Sequence, residues 1–166
     1  KLFGFRDGAM TDSAELTSGQ RDRRRWMGVL AKADPAHLAE LWQVAMRAGE
    51  PAHETVRAPE IGMVMTRGRA GGSGQAFNLG EMTVTRCAVR LADGAVGQSW
   101  VAGRSKKHAR LAALCDGLMQ GDAAAMIEAA IVAPLARAEA ERRRLQARKA
   151  AATTVEFFTM VRGEDE

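Results

Sequence analysis

The chain reads as an α+β protein: an antiparallel sheet of about four strands with an N-terminal helical hairpin and C-terminal helices. Three observations predict this. Apolar residues recur at helical spacing up to about Met46, at a period of two from about His53 to Ala102, and at helical spacing again from Ser105. The strand-like runs follow one another across short turn signals with no intervening helix, so the sheet is a meander and not a set of βαβ units.

Residues 1–19 read as a poorly ordered N-terminal extension and 20–166 as a single domain. Met10, followed by Thr11-Asp12-Ser13-Ala14, resembles a natural start, so residues 1–9 stand outside the fold reasoning. The first helix spans about Gln20 to Ala33, with Trp26, Val29, Leu30 and Ala33 on one face. Asp34 then offers an N-cap and Pro35 a first helical position. The second helix places Leu38, Leu41, Trp42, Ala45 and Met46 on one stripe, and Gly49 and Pro51 end it.

Ile61, Met63 and Met65 alternate as a strand, Arg67 to Gly74 reads as a glycine-rich loop, and Glu81 to Leu91 reads as the next strand. Its apolar phase slips between Met82 and Val84 on one side and Cys87, Val89 and Leu91 on the other, which predicts a bulge near Thr85-Arg86. Asp93-Gly94 signals a tight hairpin, and Ala95 to Ala102 returns. Ser105 caps a helix carrying Leu111, Leu114, Cys115, Leu118 and Met119, and Gly121-Asp122 breaks it. A short apolar helix follows to about Val132. Pro134 opens an Ala-, Arg- and Glu-rich helix to Ala152 whose only large apolar residues are Leu135 and Leu145, so it reads as an arm or strut. A hydrophobic tail ends the chain, with Val155, Phe157, Phe158, Met160 and Val161 as candidate partner anchors.

Composition narrows the function. The 166 residues carry 24 Lys+Arg against 20 Asp+Glu, a net charge of +4, and 46% hydrophobic residues. No apolar run reaches the roughly 18–20 residues of a membrane span, so no membrane is expected. Aromatic residues are 5% with no tyrosine, too few for the stacking platforms of single-strand binders, so no nucleic acid is expected. Cys87 and Cys115 lie far apart and read as buried free thiols of a cytoplasmic protein.

Most chemical motifs fail on inspection. The loop from Gly68 to Gly74 has no lysine placed for a phosphate-binding loop. Gly97-Gln98-Ser99-Trp100-Val101 lacks the last glycine of a nucleophile elbow, so Ser99 is a strand residue. His37, expected to be exposed, His53 and His108 have no metal-ligand spacing, so no metal site is expected. Asp93, Asp116 and Asp122 fall in a turn, on the polar side of a helix and at a break, and no catalytic residue is assigned. Arg104, Ser105, Lys106, Lys107 and His108 are different. Cations in a helix's first turn oppose its dipole, and an anion there would compensate them. The cluster supports either a solvated basic turn or an anion site. On the second reading the chain is a stand-alone anion- or nucleotide-binding module.

Residues 85–104 (TRCAVRLADGAVGQSWVAGR), 108–120, 155–163 (VEFFTMVRG) and 25–31 (RWMGVLA) closely resemble the PhnG family, a subunit of the bacterial carbon–phosphorus lyase machinery. The resemblance runs in order from about Gln20 to the C-terminus. It implies a core-complex subunit working with PhnH-, PhnI- and PhnJ-like partners in phosphonate catabolism. It also implies a reaction in which ribose 5-triphosphate passes from ATP to an alkylphosphonate. ATP and the alkylphosphonate are then substrates of the complex, this chain carries no cofactor, and the isolated chain is expected to be able to self-associate.

Overall fold

The structure, a computed structural model, describes residues 16–69 and 74–152. Helices α1 (Ser18–Lys32) and α2 (Pro35–Ala45) precede strands β1 (His53–Arg69), β2 (Ala76–Leu91) and β3 (Val96–Ala102). Then come α3 (Lys106–Leu118), a short α4 (Ala124–Ile127), a π-helical turn (Glu128–Val132) and the long α5 (Ala133–Ala152). The sheet is antiparallel in the order β1-β2-β3.

The local chemistry of each terminus explains the helices. Thr17 accepts a hydrogen bond from the Gln20 amide while the Gln20 side chain accepts one from the Thr17 amide, closing a capping box. Asp34 accepts from the amides of Ala36 and His37, and Pro35 occupies the first helical position, where its missing N–H costs nothing. The Ser105 hydroxyl accepts the His108 amide at the start of α3. Gly94, at φ +90°, completes the hairpin between β2 and β3, and the Asp93 carboxylate accepts the Ala95 amide.

The architecture has two layers, with α3 as the element on which the others meet. Every residue of α3 from Leu111 to Gly117 is buried. Its apolar side faces Cys87, Val89, Leu91 and Val101 on the sheet, while Trp26 and Leu30 of α1 and Leu38 and Trp42 of α2 join the same core. Ile127, Ile131, Val132 and Leu135 close it.

Gly97 of β3 shows how closely α3 lies on the sheet. A Cβ there would stand 2.0 Å from the Ala113 carbonyl oxygen and 2.5 Å from the Gly117 nitrogen, both main-chain atoms that cannot step aside. The same approach buries the Ser99 hydroxyl, which donates to the Ala109 carbonyl at 2.6 Å.

Several expectations are corrected. Three strands, not about four, form the sheet among the described residues, because β1 and β2 are each far longer than the hydrophobic runs suggested. The pair extends through Arg67–Arg69, which the glycines had assigned to a loop. The predicted helical hairpin is not a packed pair: α1 docks chiefly on β3 and α3, and α2 on α3 and the π-helical turn, each burying its own tryptophan in the shared core. β2 has no bulge at Thr85-Arg86 and pairs with β3 in unbroken register from Val84 to Arg90. The irregularities lie across the ladder in β1, between Thr55 and Arg57 and between Arg57 and Glu60, with a third where Leu79 is the extra residue. Pro59 sits in the second of these, where its missing amide cannot serve a regular ladder.

The close approach at Gly97 yields a paired prediction. Gly97→Ala must separate β3 from α3 and should cost about 3 kcal/mol or more in denaturant unfolding. Gly28→Ala, a helical site with nothing within 4 Å, should stabilise the chain by about 0.5–1 kcal/mol. Equal, small effects at the two sites would contradict this packing.

Candidate functional site

The residues singled out in sequence divide sharply in the structure. Arg104, Lys106 and Lys107 are exposed around the start of α3, and Ser105 is half-buried with its hydroxyl engaged as the helix cap. His108 is buried, its Nε2 2.8 Å from the Leu30 carbonyl oxygen. A carbonyl only accepts, so Nε2 carries a proton, and Nδ1 is left without a hydrogen-bond partner. Lys107 leans instead toward a shallow cleft shared with Arg110, Glu50 and Trp42, where Arg110 bonds to Glu50. His53 directs Nδ1 to the Pro51 carbonyl, and His37 is half-buried, not exposed. Among the described residues no group of three or more His, Cys, Asp or Glu side chains could hold a metal ion. Val155, Phe157, Phe158, Met160 and Val161 lie outside the described residues.

Two features went unassigned in sequence. The first is Asp116, expected on the polar side of α3 but fully buried. Its Oδ2 accepts from an Arg23 terminal nitrogen at 2.7 Å and from the Gln98 main-chain amide at 2.9 Å. Its Oδ1 accepts from Arg23 Nε at 3.2 Å and from Trp26 Nε1 at 2.9 Å. A carboxylate surrounded in this way positions elements and has no lone pair facing solvent for chemistry. Its place in the apolar run Leu114-Cys115-Asp116-Gly117-Leu118 was the signal available.

The second is the sheet surface. Ile61, Met63, Met65, Phe77, Leu79 and Met82 are between 41% and 65% exposed, and Trp100 is 49% exposed. The Arg86 guanidinium lies 5.5 Å from the centre of the Trp100 ring and bonds to Glu60. Those bonds, first the one from Arg86 and then the one from Arg57, hold the Glu60 carboxyl below its ordinary pKa.

Both cysteines are free and buried. Burial, reinforced by the Asp116 charge, pushes the Cys115 thiol up to about 12, and burial likewise raises Cys87.

The fold and this surface define a small α+β protein whose described residues expose large apolar side chains on the sheet. The family model for the phosphonate metabolism protein PhnG matches residues 21–163. A relative from Rhizobium meliloti (strain 1021), the alpha-D-ribose 1-methylphosphonate 5-triphosphate synthase subunit PhnG, is 46% identical over 159 residues, covering 94% of this chain and all of the relative. The chain belongs to the PhnG family of phosphonate metabolism proteins, as the resemblance of residues 85–104 and 155–163 had indicated. Among the described residues no helix is long and apolar enough to cross a membrane.

Two predictions follow from the buried groups. Asp116→Ala leaves the Trp26 and Gln98 N–H groups unpaired and Arg23 without its partner, and should cost about 3–5 kcal/mol in chemical denaturation. A loss below about 1 kcal/mol would show that the carboxylate organises little.

The thiols should resist alkylation at pH 8 in the native chain and react fully once it is unfolded. The Cys115 pKa is higher folded than unfolded, so its contribution to stability is complete below the ordinary thiol value of 9.0 and is lost as pH rises toward 12. Rapid native-state labelling of Cys115 would contradict its burial.

Proposed function

We propose that this chain is a subunit of a synthase that transfers ribose 5-triphosphate from ATP to an alkylphosphonate. With methylphosphonate as substrate, adenine leaves C1′ and a phosphonate oxygen takes its place, giving α-D-ribose 1-methylphosphonate 5-triphosphate. The chain contributes assembly surface, and the reacting groups and cofactors come from other subunits. Its partners are PhnH-, PhnI- and PhnJ-like chains, and its setting is the cytoplasm. Val155, Phe157, Phe158, Met160 and Val161 act as further anchors on that assembly.

The observation that carries this reading is the exposed apolar surface of the sheet. Monomers rarely leave a contiguous apolar patch beyond a few hundred Å2 open to water, and permanent complexes are held by larger, more apolar faces. The identity with the Rhizobium meliloti synthase subunit over that relative's whole length supports the same role.

Co-expression of the tagged chain with PhnH-, PhnI- and PhnJ-like subunits, followed by intact-complex mass measurement, tests it. A stoichiometric hetero-oligomer is expected. Phe157→Ala with Phe158→Ala should lower recovery of this chain in the complex at least tenfold and leave the melting temperature of the isolated chain within about 2 °C. Recovery of the chain alone would count against the proposal. So would isothermal calorimetry in which the isolated chain binds ATP and Arg104→Ala with Lys107→Ala abolishes the heat. That result would favour the stand-alone module.

A further inference from the structure

β3 pairs with β2 only from Val84 to Arg90, and the Gly103 amide makes a last bond to the Thr83 carbonyl. From there outward β1 and β2 continue alone, Val64–Arg69 against Ala76–Met82, as a two-stranded ribbon roughly 20 Å long at about 3.3 Å per residue, with Ile61–Met63 and Thr83–Thr85 as its base. Residues directly opposite in an antiparallel ladder share a face. One ribbon face therefore carries Ile61, Met63 and Met65 beside Thr85, Thr83 and Glu81. It extends the core-facing side of the sheet past the start of α3, where Thr85 is still fully buried. The other face carries Val64 beside Met82 and Gly62 beside Val84. Leu79 lies across Gly68, where even a Cβ would meet its Cδ1 at 2.2 Å, and Phe77 pairs with that same glycine. This second face runs on to Trp100, which pairs with Arg86.

A two-stranded ribbon is marginal alone in water, and open edges beside apolar faces invite pairing. Its six large apolar side chains leave on the order of 600 Å2 open, about half on each face, which together make most of one side of a standard interface. Because both faces are apolar, a flat partner would cover only half of it. The occupant must be concave. This chain's apolar cleft between α1 and β3, lined by Met27, Ala31 and Val101, is about 180 Å3 and takes side chains but not a ribbon. Arg67 and Arg69 are exposed near the tip, with Glu81 the nearest acid on the ribbon, so two such tips would repel and a carboxylate-rich site would attract them.

We infer that the ribbon Ile61–Arg69/Ala76–Thr85 is an insertion arm. It seats in an apolar cleft of a different subunit of the synthase, with acidic groups of that subunit meeting Arg67 and Arg69. The inference rests on the subunit role proposed above and specifies where and how the contact is made.

The test co-expresses the full chain with the other synthase subunits and follows its recovery by intact-complex mass. Met63→Glu with Met65→Glu alters only exposed side chains, and recovery should fall at least tenfold with the melting temperature of the isolated chain unchanged. Arg67→Glu with Arg69→Glu should fall similarly. Val44→Glu, at a 62% exposed site on α2, should assemble like the unaltered chain. Hydrogen exchange on the unaltered chain gives a second reading independent of any variant: amides 61–69 and 76–83 should exchange at least tenfold more slowly in the complex than free. Full assembly of both ribbon variants, or unchanged exchange in an intact complex, would overturn the arm and leave the subunit role standing. A chain that ignores the other subunits but forms a homodimer sensitive to Met63→Glu would overturn both.

Discussion

The carboxylate of Asp116 lies out of contact with water where α1, β3 and α3 meet, and its bonds define that junction. Trp26 and Arg23 come from α1, the Gln98 amide comes from β3, and the carboxylate itself belongs to α3. Moving any one of the three elements breaks a charge-assisted hydrogen bond inside a low-dielectric core, where such bonds are strong and unmet groups are costly. Arg23 remains about a third exposed, so the ion pair keeps one end in water and avoids most of the desolvation cost of a fully buried pair. The Ser99 bond to Ala109 and the bare backbone of Gly97 then set α3 on β3 at a distance no larger residue would permit.

This node gives the molecule a rigid end and an unsupported end. Around Asp116 the sheet is three-stranded and one face is sealed by α3. Beyond Thr83 the third strand stops and α3 no longer covers the sheet. α5 departs in the same manner: Leu135 is buried, Leu145 is exposed, and the turns between them are tied mainly by Glu139 to Arg142 and Arg143. Such pairs support a solvated helix but add little to stability. At the other end of that helical stretch, Arg25 holds Glu128 through two bonds, so α1 anchors the base from which α5 leaves.

What the sequence made legible follows from locality. Helix starts at Thr17, Asp34 and Ser105 depend on side chains within three residues, and the Asp93-Gly94 turn on two, so α2, α3 and the β2–β3 hairpin were readable. Asp116 was misread because its partners lie 18 to 93 residues away, and a lone acid in a helix looks solvated until those partners are known. The glycine-rich segment concealed the outer ends of β1 and β2, because Gly68 suggests a loop when read alone. In the folded chain it is the gap that Leu79 fills. The five residues from Arg104 to His108 read as one convergent cluster, yet helix geometry turns His108 inward and leaves the cations outside.

The slipped phase of β2 carries the same lesson to function. A strand with one face in its own core and the other in water alternates apolar with polar, and on that rule a change of parity requires a bulge. β2 changes parity without a bulge because its two ends answer to different neighbours. Cys87, Val89 and Leu91 face α3, whereas Met82 and Val84 point to the opposite side, toward Val64 and Trp100. Val84 is buried there, but Met82, Phe77 and Leu79 on that side stay 42–64% exposed and gain little from intrachain burial. Their presence on the face opposite the equally apolar row Ile61, Met63 and Met65 is explained when the ribbon is enclosed by a second polypeptide. What reads as an error of register within one chain is then a consistent pattern across two.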